Sequence, residues 1–89
     1  MSRRTLRKLP QFLSQIEEAL PQAPRLLEAI AGAEFVIARS PEHGMAVRGT
    51  RFRSWPVHLD SGITFKIIYS FDDREILFRA LYPAVAPSG

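Results

Sequence analysis

Residues 64–71 read Thr64-Phe65-Lys66-Ile67-Ile68-Tyr69-Ser70-Phe71, and this octapeptide decides the fold. Side chains of an extended chain alternate with a period of two. Phe65, Ile67, Tyr69 and Phe71 therefore share one side, and Thr64, Lys66, Ile68 and Ser70 the other. The same alternation sets Trp55, Val57 and Leu59 against Ser54, Pro56 and His58 upstream. Downstream it sets Ile76, Phe78 and Ala80 against Leu77, Arg79 and Leu81. Between these runs, Asp60-Ser61-Gly62-Ile63 suits a three-residue hairpin loop with glycine in a left-handed position, and Asp72-Asp73 a two-residue turn. Three strands joined this way predict an antiparallel meander.

The turns imply pairs of His58 with Lys66 and Val57 with Ile67, then Lys66 with Arg79 and Ile67 with Phe78. One face then carries Val57, Leu59, Phe65, Ile67, Tyr69, Ile76, Phe78 and Ala80, and it must be covered. On the other face His58, Lys66 and Arg79 form a row. Opposed like charges destabilise a sheet, so the row points to a polyanion site. Against this stands a solvated face on which basic side chains cover Ile68 and Leu77. A one-residue slip would remove the row. Pro56 cannot donate to a ladder, which puts its strand at an edge or a bulge. An open edge invites another chain to pair.

Two helices upstream can cover the apolar face. Pro10 suits a first helical turn, and Phe12, Leu13, Ile16 and Leu20 follow at helical spacing until Pro21. Pro24 opens a second run, with Leu26, Leu27, Ile30, Ala33 and Ile37 as its stripe. Ser40-Pro41 ends it, since the residue before proline avoids the helical region. Helices followed by strands predict an α+β fold, a helical hairpin packed on a C-terminal antiparallel sheet of three to four strands.

With 89 residues the chain accommodates one domain, placed at 1–84, with a flexible tail at 85–89. It is 46% hydrophobic and 24% charged, an ordinary globular balance that argues against wholesale disorder. Cysteine is absent, which rules out disulfides and thiolate zinc sites, and His43 and His58 are not spaced as a metal pair. No metal or other cofactor is expected. No apolar run reaches membrane-spanning length. Arg3-Arg4 opens no twin-arginine signal, because Glu17 and Glu18 fall where such a signal is apolar. A cytoplasmic protein is the expectation. The net charge of +3 favours an acidic partner. Its cations cluster as Arg3, Arg4, Arg7 and Lys8, and as Arg48, Arg51 and Arg53.

From Pro41 to Ala84 the chain resembles the RelE/ParE superfamily of bacterial toxins. Ser40-Pro41-Glu42-His43-Gly44 looks like the P-x-x-G loop after the helices. Val47-Arg48-Gly49 and Arg53-Ser54-Trp55-Pro56-Val57 look like the segments entering the sheet. Phe65-Lys66-Ile67-Ile68-Tyr69 resembles the central Y-R-[IL]-[VI]-Y strand. Ile76-Leu77-Phe78-Arg79-Ala80-Leu81-Tyr82-Pro83-Ala84 resembles the last strand, with Arg79 where many ParE-like members carry arginine. The resemblance implies the toxin of a toxin–antitoxin pair, which inhibits growth and is held by a cognate antitoxin. A homodimer and a toxin–antitoxin hetero-oligomer both remain open.

Two departures matter. Such toxins usually begin with a strand, and Thr5-Leu6-Arg7-Lys8-Leu9 leaves room only for a short one over Arg4–Leu6. RelE-type members also cut mRNA on the ribosome with a basic cluster on the sheet face. By resemblance Lys66 takes the central arginine's place and His58 that of one lysine. The other lysine falls on Pro56, and the basic residue after the last strand falls near Ala84. The ribonuclease set is thus incomplete. ParE-type members lack it and poison DNA gyrase instead.

For RNA cleavage the ribose 2′-hydroxyl attacks the adjacent phosphate without a metal, and the protein supplies base, acid and clamp. The candidate catalytic residues are His58, Lys66, Arg79 and Tyr82. His58 is the acid/base, while Lys66 and Arg79 hold phosphate. Tyr82 ends the last strand, near where the family places functional side chains. Arg48, Arg51 and Arg53 are candidates for contact with RNA or an acidic antitoxin. His43 reads as a turn residue, and Trp55 and Tyr69 as core. Three functions stay open: an mRNA interferase, a gyrase poison and an inactive basic protein-binding module.

Overall fold

A computed structural model of the chain describes residues 4–60 and 62–84. The predicted tail at 85–89 and Arg3 lie outside the described residues. Strand β1 (Thr5–Lys8) is followed by helices α1 (Pro10–Ala19) and α2 (Leu26–Arg39). A 3₁₀ turn at Pro41–His43 leads to β2 (Met45–Ala46), β3 (Arg53–His58), β4 (Thr64–Phe71) and β5 (Glu75–Pro83). The protein is α+β, as expected, but its sheet is five-stranded and mixed, in the order β1-β5-β4-β3-β2. The predicted all-antiparallel sheet of three to four strands is corrected by β1, which runs parallel to β5, and by the two-residue β2.

Each element follows from its sequence. Pro10 occupies the first turn of α1, where its missing N–H costs nothing. Buried Phe12 and Ile16, four apart, aim one face at the sheet. Leu26, Ile30, Ala33 and Ile37 do the same for α2. Leu13 and Leu27, expected in these stripes, are instead 46% and 55% exposed. Each lies one position round from its core-facing neighbour, about 100° on a helix of 3.6 residues per turn. The helices lie against the sheet more than against each other, α1 on β5 and α2 on β3. Between them and the sheet, Phe12 meets Phe78 edge to face with ring centres 5.3 Å apart. Ile67, Tyr69 and Ile76 complete this centre, each apolar side chain adding about 1.5–3 kcal/mol by full burial.

The meander over β3, β4 and β5 forms as predicted, but both hairpins shift register. His58 opposes Thr64 rather than Lys66, and Val57 opposes Phe65 rather than Ile67. Leu59 and Ile63 close this loop, with Gly62 at φ 87° in the left-handed region. A shift of two leaves every β3 residue on its expected face. In the second hairpin Phe71 opposes Ile76, and the two loop residues are Asp73 and Arg74, one position later than expected. A bulge then adds Arg79, so that Ile68 pairs Ala80 and Lys66 pairs Tyr82. The bulge inverts the alternation. Leu81, not Ala80, joins the core cluster, and Tyr82 crosses to the face of Lys66. The bulged strand's Leu81 N–H finds its acceptor in the Gln15 side chain of α1, 2.7 Å away.

Asp72 sets the second turn. Its Oδ1 accepts from the N–H groups of Arg74 at 2.7 Å and Glu75 at 2.9 Å. These two backbone bonds favour the carboxylate and lower its pKa from the ordinary 3.8. A lowered folded-state pKa contributes stability that is present above the ordinary value and lost as pH falls through the lowered one. Asp72→Ala is therefore expected to melt below the parent at neutral pH and together with it in acid below the Asp72 pKa. A melting difference independent of pH would show that the carboxylate does not hold the turn.

Candidate functional site

The sheet face away from the helices divides into a covered half and an open half. Along β4, Lys66 is exposed between buried Phe65 and Ile67, so it points away from the helices. The segment from Val47 to Phe52 lies at the other end of this face. There Arg79 donates from Nε to Ser70 Oγ at 2.8 Å and stacks 5.0 Å from the Phe52 ring. Ser70 is buried, the sole buried polar residue among those described, and the guanidinium bond is what makes that burial tolerable. Arg51 lines a small cleft with Ser70, Leu77, Arg79, Asp72 and Glu75, whose two carboxylates offset its two arginines.

The open half holds the remaining predicted residues. Lys66 stands between Tyr82 on β5 and Pro56 on β3. His58 sits diagonally from it, beside Thr64, whose Oγ1 lies 3.1 Å from His58 Nδ1. This bond orients the ring and leaves Nε2 as the nitrogen not engaged by Thr64. Diagonal neighbours across a sheet stand roughly 7–8 Å apart, a gap that one phosphate with its ribose hydroxyl can bridge. Among the described residues Lys66 has no ion-pair partner. Tyr82 is 47% exposed.

The predicted row of His58, Lys66 and Arg79 is therefore broken. Arg79 bonds to Ser70, four residues along β4 from Lys66, or roughly 13 Å at 3.3 Å per residue. Tyr82 takes the place opposite Lys66. The bulge is the cause, and two adjacent apolar residues at Ala80-Leu81 are its trace in the sequence.

The other predicted cations scatter. Arg53 donates from Nη1 to the carbonyls of Glu42 at 3.1 Å and Gly44 at 2.8 Å, which ties the P-x-x-G-like loop to β3. Arg48 is exposed on the turn after β2, and Arg51 belongs to the cleft above. Just before β1, Arg4 donates to the Asp72 carbonyl at 2.7 Å; on β1, Arg7 lies 3.3 Å from Glu75 and Lys8 pairs with Glu34. Among the described residues these cations fasten the parallel edge strand to its neighbours. Pro56 does lie at an edge. β2 pairs only with Arg53 and Ser54, so among the described residues β3 has no partner on that side from Trp55 to His58. Trp55 and Tyr69 pack in or against the core.

No helix among the described residues is long and apolar enough to cross a membrane. In comparison with known proteins, the chain matches no family model, no curated relative and no solved structure.

Proposed function

We propose that the protein is a growth-inhibiting toxin of the RelE/ParE type that cleaves RNA without a metal, held in check by a cognate antitoxin. The observation that supports this reading is the open half of the sheet face. An unpaired lysine, Lys66, is flanked there by a phenol, Tyr82, and an oriented imidazole, His58. His58 takes the proton of the ribose 2′-hydroxyl, whose oxygen attacks the adjacent phosphorus. Lys66 stabilises the negative charge that grows on the phosphoryl oxygens. The P–O5′ bond breaks and Tyr82 donates a proton to the leaving 5′-oxygen. The products are a 2′,3′-cyclic phosphate and a 5′-hydroxyl. Arg79, bonded to Ser70, fixes the sheet at the far end of this face.

The test is inducible expression in bacteria with separate readouts of protein synthesis and DNA supercoiling. Translation is expected to stop while supercoiling is unchanged, and a His58/Lys66/Arg79 triple alanine variant is expected to be harmless. Full toxicity of that variant would reject the site. The second reading, a gyrase poison, draws on Pro56 and Ala84, which stand where basic residues of an RNA-cleaving set would fall. It requires altered supercoiling with translation intact. Harmless expression of the parent without an antitoxin would favour an inactive binding module over both.

A further inference from the structure

A cleft of about 300 Å³ opens between the end of α1 and the exit of β5, and the proposed chemistry touches it only through Tyr82. Its apolar lining comes from Ala19 and Ala23, at and just past the end of α1, and from Phe65 and Leu81 of the sheet. The same end of α1 and the turn after it also contribute Gln15, Glu18 and Gln22 to the lining. Tyr82 lines it too, and Tyr82 is the residue opposed to Lys66. The cleft exists because β1 pairs with β5 only as far as Phe78. Beyond that point α1, rather than a strand, flanks β5.

A volume of this size is at the small end for ligand sites, room for one flat ring system. The lining combines apolar and aromatic residues with three hydrogen-bonding side chains from around the end of α1. That is the composition with which proteins hold an unstacked base by its Watson–Crick edge. Glu18 decides which base. A carboxylate only accepts, and two oxygens can take two adjacent N–H groups. Guanine presents such a pair, N1–H beside the N2 amino group, next to an O6 acceptor. The Gln15 Oε1 is already held by Leu81 N–H at 2.7 Å, so its NH₂ is the end left to donate. The Glu18 charge also repels phosphate, keeping the backbone on the Lys66 side of Tyr82.

We infer that this cleft takes an unpaired guanine base from the RNA strand that lies across Lys66. The inference deepens the proposed function, and it is tested apart from it with nucleosides, which carry no phosphate. Titration of the full chain with guanosine, adenosine, cytidine and uridine is followed by amide NMR shifts. Guanosine is expected to move the Gln15, Ala19 and Leu81 signals at lower concentration than the other three. Glu18→Gln lies on an exposed helix position and is expected to weaken guanosine roughly tenfold to a hundredfold, the loss of a hydrogen bond to a charged group. Equal binding of all four nucleosides with Glu18→Gln silent, or no shift at these residues, would overturn the inference. RNA cleavage without base preference, dependent on Lys66, would then leave the catalytic reading standing. Guanosine binding lost in Glu18→Gln, in a chain that cuts no RNA, would support the cleft and reject the catalysis.

Discussion

Gly44→Ala is expected to lose roughly 3–5 kcal/mol of stability, an overpacking cost joined to a broken buried hydrogen bond. Gly44 has an ordinary extended backbone, φ −66° and ψ 157°, so the requirement is space rather than conformation. A Cβ there would stand 2.1 Å from the Tyr69 hydroxyl and 2.8 Å from its Cζ. Tyr69 cannot retreat. Its ring is fully buried beside Phe78, and its hydroxyl donates to the Pro41 carbonyl at 2.6 Å. That bond ties the 3₁₀ turn to the central strand and satisfies the one polar atom the ring carries inside. For a domain of this size the melting temperature should fall by roughly 12–40 °C. Tyr69→Phe alone should cost about 1 kcal/mol, and combined with Gly44→Ala it should recover part of the loss. Burial raises the Tyr69 pKa above the ordinary 10.0. The linked stability is then complete below that value and is lost as pH rises above it, a dependence that Tyr69→Phe should remove. Gly44→Ala melting with the parent would show that the hydroxyl does not occupy this gap.

The parts of the fold that could be read from sequence are those whose periodicity is local. The octapeptide 64–71, the two helical stripes and Gly62 each state their geometry within a few residues. β1 could be placed only as a short strand over Arg4–Leu6. Three of its four side chains are exposed, so it carries almost no alternation. Its partner β5 lies some seventy positions away in a parallel pairing that no turn announces. β2 is two residues long and has no pattern at all. The bulge at Arg79 escaped for a different reason. Ile76, Phe78 and Ala80 keep the period of two, the adjacent Ala80-Leu81 is only a faint break in it, and the group that satisfies the freed Leu81 N–H, Gln15, lies on a different element. One inserted residue moved Tyr82 to the candidate site and left Arg79 with Ser70. His58 and Lys66 kept their face because the first hairpin shifted by two, an even number. Composition could not distinguish the free cation Lys66 from Arg53, whose guanidinium is held by two carbonyls.

That division between Lys66 and Arg79 leads to an outcome the triple variant cannot show. If Lys66 clamps the phosphate, Lys66→Ala should lower RNA cleavage about 10²- to 10³-fold, the usual loss for a donor aimed at developing negative charge. His58→Ala should lower it about 10²- to 10⁴-fold. Neither change should move the melting temperature much, since both side chains are exposed. Arg79→Ala should behave in the opposite way. It strips buried Ser70 of its bond and uncovers Phe52, a loss of about 1–3 kcal/mol in stability. At temperatures where the variant remains folded, its cleavage rate should stay within a few-fold of the parent. Measuring rate and melting on the same three variants separates the two roles. An Arg79→Ala protein that is folded but inactive, beside a fully active Lys66→Ala, would place the phosphate on the covered half of the sheet and overturn the assignment.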